Sequence, residues 1–185
     1  MFRRTAPFLL VILIALALSP AGAAGRPFTY QAAGVMDTNT GCTGIDCGPT
    51  YSGSGSLSCG ADCATAPKSG GTFFFEGNVT RAFRGNPFFP PDPCAGRGNA
   101  TVTTTWSDAT TSIISFPKVQ YPPDPCFSSR FFPPGPCRIR GNGTVTSGAL
   151  LGSRVSIIFQ WPPSPCRTGS SSFNGSMTFH PPAPI

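Results

Sequence analysis

Of the 185 residues, Gly and Pro contribute 22 each, and that density of helix-interrupting residues excludes a helical bundle or coiled coil. Charged residues are 11% of the chain and the formal net charge is +6, too mild for a disordered tail held open by repulsion. Neither figure points to a named chemistry.

Residues 1–24 have the three-part layout of a secretory signal peptide: Arg3 and Arg4 near the start, an apolar run from Leu9 to Leu18, and mostly small residues from Ser19 to Ala24. Cleavage is expected after Ala23 or Ala24. The run is shorter than the roughly 20 apolar residues a bilayer span requires, so no stable membrane insertion is expected once the leader is removed. The expected destination is outside the cell, or the periplasm in a Gram-negative host. Beyond position 24, Leu, Ile, Val and Phe supply 30 of 161 residues, just under the usual level for a self-sufficient core. All eight Cys lie in this part, and export to an oxidising compartment makes disulfides the natural compensation. With Arg3 and Arg4 removed, 11 basic residues face 7 acidic ones and only two are Lys, which gives no warrant for nucleic-acid binding.

Residues 25–70 form a Gly/Ser/Thr-rich segment in which Cys42, Cys47, Cys59 and Cys63 are expected to pair among themselves. Their spacing lacks the tight zinc knuckle, and His180 is the sole imidazole of the chain, so structural disulfides are favoured over a metal and no cofactor is expected. Tyr51 to Cys59 alternates with Ser, the pattern of a half-buried strand.

Residues 71–185 read as a duplicated β-hairpin domain, continuous with 25–70. Phe88 to Thr103 aligns without a gap to Phe131 to Thr146, offset 43, with 12 of 16 identities. The second halves match more loosely, Val119 to Cys126 against Phe159 to Cys166. An aromatic-PPxPC element therefore occurs at Cys94, Cys126, Cys137 and Cys166. Between these elements Val102, Thr104 and Trp106 share one parity, as do Val155, Ile157, Phe159 and Trp161, while Phe73, Phe75, Gly77 and Val79 and then Phe173, Gly175, Met177 and Phe179 do the same. Turn signals fall at Ser107 to Thr111 and Gly148 to Gly152. The expectation is an all-β antiparallel sandwich or small barrel of about seven strands, stapled by disulfides. Hairpin closure favours Cys94 with Cys126 and Cys137 with Cys166, while a swapped pairing such as Cys94 with Cys137 stays open.

Enzymatic constellations are thin. A Ser triad would have to be built on His180, which reads instead as a strand-end residue on a polar face with Asn174, Ser176 and Thr178. Asp92 and Asp124 sit in equivalent places of their PPxPC elements, where the other copies have Gly135 and Ser164, so a turn role accounts for the set better than a carboxylate pair. Glu76, the only Glu, is expected to pair with Arg81 or Arg84. A secreted hydrolase is therefore the lesser alternative to a binding or structural module with a protein or carbohydrate partner.

Two binding readings remain. The rings ahead of each PP, Phe89, Tyr121, Phe132 and Trp161, could form an exposed stacking platform, or they pack inside the corners; exposure of Tyr121 and Trp161 discriminates. Rigid Pro loops would also suit an inhibitor of a hydrolase, since a fixed loop loses little entropy on docking. Glycosylation sequons stand at Asn78, Asn99, Asn142 and Asn174, three of them in the recurring Gly-Asn-x-Thr string.

Overall fold

Alternating sequence becomes alternating burial. The computed structural model describes residues 25–39, 49–60, 66–82, 96–121, 137–162 and 169–182. Among them are eight strands: β1 (Phe28–Asn39), β2 (Thr50–Cys59), β3 (Gly70–Ala82), β4 (Gly96–Trp106), β5 (Thr111–Tyr121), β6 (Cys137–Gly148), β7 (Arg154–Trp161) and β8 (Gly169–His180). Each pairs antiparallel with its sequence neighbours, and β1 pairs with β8 from Phe28 opposite Phe179 to Thr38 opposite Gly169, so the sheet closes into an up-and-down barrel. Closure leaves no strand edge without a partner.

The structure thus resolves sandwich or barrel in favour of a closed barrel, and raises the expected count of about seven strands to eight. The added strand is β1. Phe28, Tyr30, Ala32 and Met36 turn inward, but Ala32-Ala33-Gly34 gives both faces small residues there and dilutes the alternation.

Eight staves enclose an interior just wide enough for side chains to fill, and rings fill this one in three layers. At one end Tyr30 meets Phe28 at 5.8 Å, Phe179 at 5.8 Å and Trp106 at 5.3 Å, and its hydroxyl donates to the Lys68 carbonyl at 2.7 Å. Trp106 Nε1 donates to Ser112 Oγ at 2.8 Å, and Ser112 Oγ in turn donates to the Ala149 carbonyl. Half-way along, Phe159 packs on Phe73, Phe75 and Phe173. At the far end Tyr51 stacks on Tyr121 with centroids 4.8 Å apart, and Trp161 lies 6.5 Å from Tyr51. The Tyr121 ring needs bare backbone beneath it: a Cβ at Gly77 would stand 2.0 Å from its hydroxyl oxygen.

The turns fall where the sequence signals them, 107–110 between β4 and β5 and 149–153 between β6 and β7. Asp108 holds the first by accepting from the Thr110 amide at 3.1 Å and from Lys68 Nζ. The second bends through positive φ at Gly148, Leu150 and Gly152. Cys59 ends β2 and Cys137 begins β6, at opposite ends of the barrel. The other six Cys, at 42, 47, 63, 94, 126 and 166, lie outside the described residues.

Candidate functional site

Tyr121 and Trp161 point into the barrel. Tyr121 is 0% exposed and Trp161 6%, and each continues the inward parity of its strand. These two rings form part of the core layer around Tyr51, so they present no platform to solvent; Phe89 and Phe132 lie outside the described residues. Tyr121 donates to the Asn99 carbonyl at 2.7 Å. Burial, reinforced by Tyr51, pushes its phenol far above the ordinary tyrosine value. Burial pushes the Tyr30 phenol up to about 12, with the Lys68 carbonyl bond pulling the other way.

With the interior filled, chemistry is left to the outer face, which is hydroxyl-rich. Ser52, Ser54, Ser56 and Ser58 line β2, while Thr101, Thr103 and Thr105 line β4. Strands that cross a bilayer turn apolar residues outward instead. Asn99, Asn142 and Asn174 are exposed on β4, β6 and β8. Asn78, directly opposite Asn99, is half-buried, and its Oδ1 has no hydrogen-bond partner among the described residues. Glu76 is exposed on β3; among the described residues the ion pair is Lys68 with Asp108, which with Thr110 holds the Asp108 carboxyl down at about 2. Asp92, Asp124 and Arg84 lie outside the described residues.

On the outer face a cleft of about 430 Å³ opens over β5–β8. Its cause is a bulge. Between Ser115 opposite Thr144 and Lys118 opposite Asn142, β5 spends two residues, Phe116 and Pro117, against the single Gly143. Pro117 has no N–H to give the ladder and is tolerated in a strand at such a bulge. Phe116 turns inward and Pro117 and Lys118 both turn out, after which Val119 and Tyr121 resume the inward parity. Gly143 is required beneath Phe116, because a Cβ there would stand 2.7 Å from that ring and 2.4 Å from the Ser115 carbonyl.

Gly143 and Val155, at inward positions, contribute to the cleft from below, while Asn142, Thr144, Arg154, Ser156 and His180 surround it with Pro117. Cross-strand register sets this group: Arg154 lies opposite both Thr144 on β6 and His180 on β8, and Ser156 lies opposite Asn142. His180 thus closes β8 on its polar side, half-buried, beside a guanidinium. The arrangement sets a guanidinium, an imidazole and hydroxyl groups around an open hollow whose lining is largely apolar. Among the described residues no group of His, Cys, Asp and Glu is placed to hold a metal ion.

The cleft was not foreseen from the sequence. The Phe-Pro-Lys interruption of an alternating strand is the signal for the bulge, but Arg154 and His180 are brought together only by the register of β7 with β8. No family model, curated protein or solved structure matches this chain.

Proposed function

We propose that this chain is a secreted, disulfide-stapled β-barrel that acts as a binding module through its outer surface, with a carbohydrate or protein partner. The observation that carries the reading is the division of the barrel: rings occupy the interior from Tyr30 to Tyr121, and the cleft beside Arg154 and His180 lies outside. The leader-like residues 1–24 support export. Cys59 and Cys137, each disulfide-bonded, support an oxidising destination.

Strand geometry also guides the staples. Cys42 and Cys47 are each three residues from the Asn39 and Thr50 strand ends, whereas Cys59 ends β2 at the other end. Three residues reach about 10 Å, a ten-residue strand is about 33 Å long, and bridged Cα atoms stand within about 7 Å. We therefore pair Cys59 with Cys63 and Cys42 with Cys47. Gly96 opposite Tyr121 and Cys137 opposite Trp161 support Cys94 with Cys126 and Cys137 with Cys166. Non-reducing peptide mass spectrometry should find these bridges and a mature start after Ala23 or Ala24; free thiols throughout would sink the stapled, exported reading.

Immobilised mature protein, challenged with neutral and acidic soluble polysaccharides and with purified secreted hydrolases, tests the binding role. Retention of a polymer without chain cleavage is the expected result. Release of new reducing ends would establish a hydrolase instead, and loss of a hydrolase's activity with no polymer retained would establish an inhibitor.

A further inference from the structure

We propose that the cleft over β5–β8 is a binding site for the carboxylate or sulfate groups of an acidic polysaccharide. This rests on the outer-surface binding reading and names its ligand class. Arg154 and His180 are direct cross-strand neighbours, which places their Cβ atoms about 5 Å apart. Thr144, Ser156 and Asn142 surround them with neutral donors and acceptors. A guanidinium flanked by hydroxyls matches an anionic sugar, since the planar fork takes the oxyanion in a bidentate grip while the hydroxyl and amide groups meet the ring's own hydroxyls.

The charge continues beyond the cleft. Lys118 stands opposite Asn142, and Arg140 and Arg138 follow outward along β6, two residues and so about 7 Å apart on one face. Arg97 on β4 faces Gln120, which faces Arg140, extending the band sideways. Among the described residues the outward positions of β4–β8 carry no Asp or Glu, because Asp37 is on β1, Glu76 on β3 and Asp108 in a turn. Neither Lys118 nor Arg154 is ion-paired among the described residues. Arg138 Nε donates to Gln160 at 3.2 Å, yet none of these cations is ion-paired among the described residues, and a strip of them running along a strand from the cleft suits a linear polymer with a repeating negative charge.

The test titrates the barrel, made in a host that adds no N-glycan to Asn142, with polygalacturonate, heparin, dextran and inorganic sulfate. Either or both acidic polymers should bind and weaken as salt rises, dextran should not bind, and inorganic sulfate should bind far more weakly. Arg154→Gln combined with His180→Gln should lower affinity about 10-fold or more, and Arg154→Lys should retain part of it. Ser54→Asp makes a like change of net charge on β2, across the barrel from β6, and should stay within about 2-fold of the parent. Thermal melts of the variants report whether the barrel is intact.

Unchanged affinity in the double variant, or an equal loss in Ser54→Asp, would overturn the site. Dextran held as tightly as the acidic polymers would overturn the ligand class while leaving a binding module, and sulfate held as tightly as the polymers would mean a free-anion site. No binding of any polymer would sink both the ligand class and a carbohydrate-binding role.

Discussion

In the two hairpins β4–β5 and β6–β7, the inward positions correspond closely: Gly98 with Gly141, Val102 with Val145, and Tyr121 with Trp161 all face the core. Outside and at the tips they part company. Arg97 and Arg140 still match, but the first hairpin carries a turn held by Asp108 and a bulge at Pro117, whereas the second adds Arg138 and Arg154, and its turn bends through positive φ at Gly148, Leu150 and Gly152 where the first does so at Ala109. Ala100 and Gly143 are equivalent by the offset of 43 and both flank Phe116: Ala100 pairs with it across β4–β5 and keeps its Cβ, whereas Gly143, from the other hairpin, lies against its ring with no room for one. The two hairpins share an inward pattern, and their packing determines what each position tolerates.

Four changes press on that comparison. Phe159 and Val119 occupy matching inward places, but Phe159 alone packs on three rings, so Phe159→Ala should cost about 3–5 kcal/mol and Val119→Ala clearly less in urea unfolding. Equal losses would mean that the ring layer is not the barrel's centre. Gly143→Ala copies the residue the first hairpin already has, yet should destabilise by about 1–3 kcal/mol through the Phe116 and Ser115 contacts. A neutral result would show β5 free to move away.

Alkaline pH should separate the rings that end the hairpins, since Tyr121 ionises and Trp161 does not. Phenols raised above an unfolded value near 10 contribute stability that is fully present below about pH 10 and is lost as pH climbs through the folded value, about 12 for Tyr30. Phenolate absorbance should therefore rise together with loss of the fold, and a midpoint near 10 in folded protein would contradict burial. Acid should separate the turns. The Asp108 carboxyl, held at about 2, contributes above its unfolded value near 4, and that contribution is lost as pH falls through about 2. Amide exchange should then quicken at Ala109 and hold steady at Gly152, the effect remaining small because Asp108 is solvent-exposed.

The inner face was readable because period-two alternation needs only local sequence: Val102, Thr104 and Trp106, or Val155 to Trp161, all turned inward as their parity predicts. The same parity already argued that Trp161 belongs to the core, against its reading as a loop residue ahead of Pro162. Closure was not readable, since β1 meets β8 across nearly the whole chain and its alternation is blurred at Ala33 and Gly34. The cleft was less readable still, for it depends on a one-residue bulge in β5 and on the register of three further strands.

The central claim is that the barrel is filled to both ends, leaving recognition to its outside. Quenching of Trp161 fluorescence by a neutral solute, in a Trp106→Phe variant that leaves Trp161 as the sole indole, tests it most directly. Strong shielding that disappears on unfolding is the predicted result. Quenching as efficient in the folded protein as in the unfolded chain would contradict it, exposing that end of the barrel and returning Trp161 to the surface as a stacking platform.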